Sequence, residues 1–120
     1  MVEAAPEDSI LNVTKKLLNI PAEYTPFDLD IITHINAVFA SLHQMGVGPS
    51  TPFMITDASI PWTIFIGSQV GIESVRSYMA SKVRIIFDPP ATSFGQESLK
   101  EVIRELEWRL LVSCEEHPHG

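Results

Sequence analysis

Four histidines are the residues of this sequence that most readily suggest a metal site. His34 and His43 fall on one predicted helix, about 13.5 Å apart along its axis, which is too far to share one ion. His117 and His119 lie near the C-terminus without the cysteine pattern of a zinc site. We interpret all four as ordinary polar side chains, and we expect no metal and no cofactor.

The other reactive residue types form no catalytic arrangement. Cys114, the only cysteine, precedes two glutamates, which disfavour a thiolate. Glu97, Glu101 and Glu105 recur at helical spacing among basic residues, which is typical of a solvated face. Residues 67–71 contain two glycines but lack the lysine and spacing of a phosphate loop. Since no nucleophile, base and orienting group are grouped, we predict that the protein is not an enzyme.

Composition narrows the class of protein further. The chain has 120 residues, enough for one hydrophobic core. Its 15 acidic and 8 basic residues give a net charge of −7, whereas nucleic-acid binders need a basic face. No apolar run approaches the roughly 20 residues of a membrane span, and no signal peptide is recognisable. We expect one soluble domain that stays in the compartment where it is made.

The first predicted helix begins after Ser9, a residue type that caps helices, and Pro21 closes it. Lys15 and Lys16 fall away from its apolar residues, so we expect both to be solvated. The apolar stripe consists of Ile10, Val13, Leu17 and Ile20.

A second helix is predicted from the cap Thr25 and the proline that follows it, and Gly46 ends it. Its apolar stripe is broad enough to contact more than one neighbour. The stripe consists of Ile31, Ile32, Ile35, Val38, Phe39, Leu42 and Met45.

Two further long helices follow in the second half of the chain. One runs over about residues 70–87 and is ended by Asp88-Pro89-Pro90, and the last begins near Ser93 with Gln96 as its capping partner. The last helix also pairs Glu101 with Arg104 and Glu105 with Arg109 along its outer face. The inward stripes are Ile72, Val75, Met79, Val83 and Ile86, then Leu99, Ile103, Leu106 and Leu110.

A long loop, residues 46–59, joins the second helix to a short helical segment that ends at Gly67. Within the loop, Phe53-Met54-Ile55 is apolar and can form one short strand. Because a single strand cannot form a sheet alone, it either packs as an irregular loop or pairs with another chain.

The chain carries more large apolar groups than so small a fold needs. Trp62 and Phe65 on the short helical segment are interpreted first as core and second as contacts with a neighbouring subunit. Trp108 falls off the inward stripe of the last helix, and with Leu111 and Val112 it makes the end of that helix apolar on nearly all sides. A neighbouring chain is one partner that would bury such a surface.

These patterns predict an all-α fold, a small bundle of about four helices with one long central loop. Residues 1–8 form a flexible leader, residues 9–113 the helical domain and residues 114–120 a flexible tail.

Several segments occur in a characteristic order along residues 9–112. They are Leu17–Ile20, Tyr24–Ile32, His34–Asn36, Gly46–Gly48, Trp62 with Phe65, Tyr78, Lys82–Arg84, Phe87–Pro90 and Glu105–Leu110. In this order they resemble the small head–tail connector proteins of long-tailed bacteriophages.

The resemblance implies a virion protein that is made in the host cytoplasm and assembles as a ring at the head–tail junction. Such rings commonly hold about twelve copies related head to tail. They complete the head after DNA packaging, bind the portal protein and the next neck or tail component, and let genomic DNA pass without specific binding.

Mapped onto this chain, the resemblance places candidate contacts in two groups. The subunit contacts are Phe53, Met54, Ile55, Trp62 and Phe65. The portal contacts are Trp108, Leu111, Val112 and Cys114.

Two alternatives remain open from the sequence. One is another neck component, such as a stopper or tail terminator, although those families tend to be rich in β-structure. The other is a small cytoplasmic regulator that binds a host protein as a dimer.

Overall fold

The structure, a computed structural model, describes residues 5–66 and 72–116, with the backbone alone at residue 66 and residues 114–116. Helices dominate these residues, and no β-strand occurs among them. A single antiparallel bridge joins Ser9 to Pro61. The all-α prediction is therefore confirmed. The helices are α1 (Ile10–Leu17), α2 (Asp28–Met45), α3 (Trp62–Ile66), α4 (Ile72–Phe87) and α5 (Ser93–Glu116).

The molecule is a plate rather than a sphere. Its extents are 44 × 37 × 19 Å, and a helix with its side chains is about 10 Å across, so the plate is two helix layers thick. Helix α4 makes the most extensive packing contacts, with α5, α2 and α1, which makes it the centre of the fold. The connection predicted at residues 67–71 lies outside the described residues.

Helix α1 begins as predicted and ends earlier. The Ser9 hydroxyl accepts a hydrogen bond from the Asn12 amide at 3.2 Å, which confirms the cap. The helix ends at Leu17, because Asn19 has a positive φ of 64° and turns the chain before Pro21 is reached. Asparagine tolerates this left-handed conformation better than most residues.

The start of α2 differs from the prediction, whereas its end agrees. The Thr25 carbonyl accepts a hydrogen bond from the Asp28 amide, so Thr25 lies in the preceding turn and does not cap the helix. Phe27 is the cap residue and makes no side-chain cap bond. Gly46 has the left-handed φ of 87° of a C-terminal stop.

Lys15 is the clearest error of the sequence analysis. Its side chain is fully buried rather than solvated. The ammonium group donates to the Ala22 carbonyl at 3.0 Å, the Tyr24 carbonyl at 2.7 Å and an Asp28 carboxylate oxygen at 2.7 Å. All three of its protons therefore have acceptors. The ion pair joins α1 to α2 and fixes the turn between them.

The core contains most of the predicted inward positions. Leu17 and Ile86 are exceptions and are exposed. Leu11 and Leu18 are buried instead of Leu17, and Phe87 is the residue of the last turn of α4 that packs against the start of α2. Tyr78, absent from the predicted stripe, is fully buried. The buried apolar side chains of the three long helices are Ile31, Ile35, Val38, Phe39, Leu42, Val75, Tyr78, Met79, Ala80, Val83, Ile103 and Leu110.

Helix α5 begins at Ser93 and is capped by Thr92, not by Ser93 as predicted. The Thr92 hydroxyl accepts from the Gly95 amide at 3.0 Å, and the Gln96 side chain donates to the Pro90 carbonyl at 3.0 Å. The predicted ion pairs of Glu101 with Arg104 and of Glu105 with Arg109 are both present. The helix continues to Glu116, past the predicted domain end at residue 113.

Replacing Lys15 with methionine tests the buried ion pair. Lys15→Met keeps a long side chain but leaves Asp28 and two carbonyls without their donor, which should lower the free energy of unfolding by about 3 kcal/mol. Lys16→Met on the exposed neighbour should change it by less than about 0.5 kcal/mol. Urea unfolding followed by circular dichroism measures both. Equal effects of the two substitutions would contradict this role of Lys15.

Candidate docking surfaces

Large apolar side chains remain exposed on the described surface, and these are the candidate contacts with other proteins. Several fall in three places: the central loop, the junction of the start of α2 with the end of α4, and α5. The exposed set is Leu17, Tyr24, Phe27, Leu29, Met54, Ile64, Ile86, Phe94, Val102, Trp108 and Leu111.

The central loop is held to α2 by one side chain. The Asn36 amide group donates to the Ile55 carbonyl at 2.9 Å, and the Asn36 amide oxygen accepts from the Ile55 backbone N–H at 2.8 Å. One side-chain amide thus makes both bonds that a neighbouring strand would make. Residues 53–55 therefore pack as an irregular loop, the first of the two predicted alternatives.

Anchoring Ile55 turns Met54 outwards. Ile55 is buried, and the Phe53 ring lies 4.9 Å from that of Phe39 and 5.1 Å from that of Phe65. Met54, between them, is 68% exposed. Of the loop residues predicted as subunit contacts, Met54 is the one whose side chain this arrangement leaves open.

Trp62 and Phe65 belong to the core of their own chain. Trp62 is fully buried and Phe65 nearly so, and both rings contact Phe39, at 5.8 Å and 4.7 Å. A side chain without exposed surface offers nothing to a neighbour. The structure therefore favours the core interpretation of both residues over the subunit contact.

The distal part of α5 is oriented by a hydrogen bond from α4. The Tyr78 hydroxyl donates to a Glu107 carboxylate oxygen at 2.9 Å. Burial, followed by the neighbouring Glu107 carboxylate, raises the pKa of Tyr78, so the hydroxyl keeps its proton across the physiological range. With Glu107 turned towards α4, the next residue, Trp108, is 65% exposed.

The predicted portal residues on α5 differ in exposure. Leu111, three residues beyond Trp108, is 45% exposed, and Val112 is half-buried. The side chain of Cys114 lies outside the described part of the chain. Trp108 and Leu111 are on one side of the helix, since a spacing of three residues is almost one turn.

A groove at the junction of α2 and α4 was not predicted. Phe27 at the start of α2 contacts the rings of Tyr24 at 5.7 Å and of Phe87 at 5.4 Å, and His34 lies 6.4 Å from Phe87. The groove has a volume of about 560 Å³ and a mostly apolar wall. Its lining is Asn19, Ile20, Pro21, Tyr24, Phe27, Phe87 and Asp88.

The groove depends on the buried lysine. Lys15 binds the Tyr24 backbone and the Asp28 side chain, on either side of Phe27. Both ring-bearing residues of the turn are therefore fixed before any partner arrives. The sequence contains one sign of this groove, the two aromatic residues Tyr24 and Phe27 three positions apart. Nothing in the sequence showed that Phe87 would pack beside them.

Charge is distributed unevenly over these surfaces. Asp88 is the charged lining residue of the groove, and Glu23 lies in the same turn. By contrast, residues 31–56, which include most of α2 and the central loop to Thr56, contain no Asp, Glu, Lys or Arg. Asp57, near the end of the central loop, is the single charged residue of residues 31–59 on a chain of net charge −7.

Within residues 5–66 and 72–116, no group of three or more His, Cys, Asp or Glu side chains is placed to hold a metal ion. His117 and His119 lie outside these residues. In the same part of the chain, none of the helices is both long and apolar enough to cross a membrane.

Replacing Asn36 with alanine tests how the loop is held. Asn36→Ala removes both bonds to Ile55 and leaves a buried N–H and C=O unpaired, which should cost about 2 kcal/mol of stability. The Ile55 amide should also lose its protection from hydrogen exchange, as NMR would measure. Thr51→Ala, at an exposed loop position, is the control and should leave both quantities unchanged. A still protected Ile55 amide in Asn36→Ala would show that another contact holds the loop.

Exposed apolar side chains on a helical plate are typical of a structural module that binds other proteins. The comparisons with known proteins agree with this class. The family model of phage connector proteins matches residues 10–117, so the chain belongs to the phage connector protein family. No curated protein and no solved structure gives a match.

Membership of this family assigns the chain a structural role in the neck of a phage particle, in contact with other head or tail proteins. The resemblance seen in the sequence is thereby confirmed at the level of the family.

Proposed function

We propose that the protein is the adaptor that forms a ring between the portal and the tail, completes the head after DNA packaging and leaves a path for the genome. The observation that carries this proposal is the exposed apolar end of α5. Trp108 and Leu111 lie side by side on a helix that is fixed to the body of the protein through Tyr78 and Glu107. A rigid helix end with an aromatic anchor is suited to a pocket on a partner protein.

The contact with the portal is assigned to this helix end and the residues beyond it. The described residues of the chain do not cover Trp108, although α4 packs along the same helix. The proposed contact also includes residues 114–120, of which residues 114–116 are the end of α5. Val112 and Cys114 are included in the proposed portal surface on the grounds of sequence alone.

A ring of about twelve copies requires each copy to present two different, complementary surfaces. The plate has candidates for both, because the central loop with Met54 and the long helices expose separate apolar groups. The subunit contact is therefore assigned to Met54 and its loop, with the helix faces as the opposing surface.

The acidic character of the chain suits the passage of DNA. Proteins bind the phosphates of DNA mainly through lysine and arginine side chains. This chain carries 15 acidic and only 8 basic residues. A channel lined by such subunits repels the genome and lets it slide. The absence of strands from the described residues counts against the β-rich stopper and tail-terminator classes.

Portal binding by substituted proteins tests the proposal. Trp108→Asp places a charge in the desolvated centre of the contact and should weaken binding to the purified portal protein by at least tenfold, or about 1.4 kcal/mol. A chain that stops after Val112 should be weakened as well. Surface plasmon resonance measures the affinity, and negative-stain images should show an added ring on the portal.

Phe94→Asp is the matched control, since Phe94 is also aromatic and is even more exposed than Trp108, but lies at the other end of α5. It should bind the portal as the unchanged protein does. If Trp108→Asp binds normally, the α5 contact is wrong. If the unchanged protein adds no ring to the portal, the adaptor role is wrong.

A further inference from the structure

The backbone of the central loop has two edges at Ile55, and Asn36 occupies one of them. Both hydrogen bonds of the Asn36 side chain go to the N–H and C=O of Ile55. The peptide bonds here are trans and planar, so the Met54 carbonyl points away from the Ile55 N–H, and the Thr56 N–H points away from the Ile55 carbonyl. The Met54 carbonyl and the Thr56 amide therefore face the side opposite Asn36.

This second edge is open. No residue in the described part of the chain hydrogen-bonds the Met54 carbonyl or the Thr56 amide, and both residues are exposed. Residues 52–55 run without a turn or bend, and Pro52, which has no N–H, limits the edge on its N-terminal side. An unpaired acceptor and donor along a short extended edge are the groups to which a segment of another chain adds as a neighbouring strand.

The open edge is separate from the surface that Met54 offers to a neighbouring subunit. Side chains of an extended segment stand on its two faces, whereas the backbone groups lie along its edges. Ile55 points into the core, so Met54 points out of the opposite face. A subunit packed on the Met54 side chain leaves the open edge accessible to a further chain.

The charge beside the edge favours a basic segment. Asp57 is exposed, follows Thr56 directly and is the single Asp, Glu, Lys or Arg of residues 31–59. Its carboxylate accepts hydrogen bonds from the Ser59 hydroxyl and amide, which lower the pKa of Asp57 and keep it ionised. The helices that contact the loop, α2 and α3, contain no Lys or Arg. A cationic side chain on an incoming segment therefore meets this carboxylate without competition.

Another copy of this chain cannot supply a basic extended segment. All 8 Lys and Arg residues lie on helices, two on α1, three on α4 and three on α5. The rest of the sequence is neutral or acidic, and acidic segments are repelled by Asp57. The occupant is therefore a different protein. Because the portal contact is assigned to α5, the next neck component is the partner that remains for this edge.

We infer that the open edge at Met54 and Thr56 takes an extended basic segment of the next neck component as an added strand. This inference rests on the proposed adaptor role and names how the adaptor holds the protein below it. The Met54 carbonyl accepts from the segment's backbone, the Thr56 amide donates to it, and a lysine or arginine of the segment pairs with Asp57. The main-chain bonds supply affinity, and the charge pair fixes the register.

A proline at position 56 tests the backbone pairing. Thr56→Pro removes an N–H that is unpaired within the described chain, and proline favours an extended conformation at the preceding Ile55. The probe is a short peptide of alternating lysine and valine with blocked ends, titrated into the isotope-labelled protein and followed by NMR. It should protect the Thr56 amide from hydrogen exchange, and Thr56→Pro should bind it about tenfold more weakly. Thr56→Ala keeps the N–H and is the matched control, which should bind as the unchanged protein does.

A second peptide, with glutamate in place of lysine, tests the charge requirement. It should bind the unchanged protein about tenfold more weakly than the lysine peptide. Asp57→Asn keeps an acceptor for Ser59 but removes the charge, so it should reduce this difference. Equal binding of the two peptides to the unchanged protein, or equal binding of the lysine peptide by Thr56→Pro and Thr56→Ala, would overturn the inference.

Urea unfolding establishes whether each variant is folded. If Thr56→Pro does not fold, the unchanged protein decides the matter through hydrogen exchange. Protection of the Thr56 amide by the bound lysine peptide supports the added strand, and a Thr56 amide that still exchanges freely overturns it.

Assembly separates this inference from the adaptor role. Heads that carry the portal are incubated with each variant and then with the remaining neck and tail proteins, and negative-stain images are scored for rings and for joined tails. Both variants should form a ring on the portal, but Thr56→Pro should join at least about tenfold fewer tails than Thr56→Ala. Normal joining by Thr56→Pro would remove the added strand and leave the adaptor role standing. If the unchanged protein forms no ring, the adaptor role is wrong, and the peptide results decide the open edge by themselves.

Discussion

The buried ammonium group of Lys15 is the interaction on which the arrangement of the first half of the chain depends. It joins two backbone carbonyls and the Asp28 carboxylate across the turn between α1 and α2. Burying a lysine is costly unless its protons are all paired, and here they are. The turn is consequently fixed by a polar cluster at the edge of an otherwise apolar core, and it positions the rings of Tyr24 and Phe27.

Helix α2 links this cluster to the rest of the fold. Its core face packs on α4, one flank carries the groove, and the other flank carries Asn36 with the loop. The plate is only two helix layers thick, so a single helix reaches both the core and two surfaces. A phage connector must meet several partners with few residues, and a thin plate exposes a large surface for its length.

The fold could be predicted from periodicity and chain breakers to a large extent. Ser9, Gly46 and the Asp88-Pro89-Pro90 run marked true boundaries because capping and proline sterics act locally. Lys15 could not be predicted, because its partners lie up to 13 residues away and its position on the helix wheel pointed outwards. Thr25 does not cap α2 because of an equally distant contact. It lies in the turn whose backbone Lys15 binds at Ala22 and Tyr24.

The candidate surfaces were less predictable than the helices. Exposure of Trp108 followed from its place off the apolar stripe, which is local information. The burial of Trp62 and Phe65 depended on Phe39, and the groove depended on Phe87 meeting Phe27, both of which are contacts between distant segments. Periodicity shows which side chains share a face of one helix, but it does not show which faces meet.

The two hydrogen bonds between Asn36 and Ile55 also affect how readily newly made copies of the protein aggregate. An extended apolar segment with free backbone groups is a template on which identical chains add strand to strand. A virion protein is made in many copies in one cell, so this hazard grows as synthesis proceeds. Because Asn36 occupies both backbone groups of Ile55 within the same molecule, that side of the segment is closed to edge-to-edge aggregation.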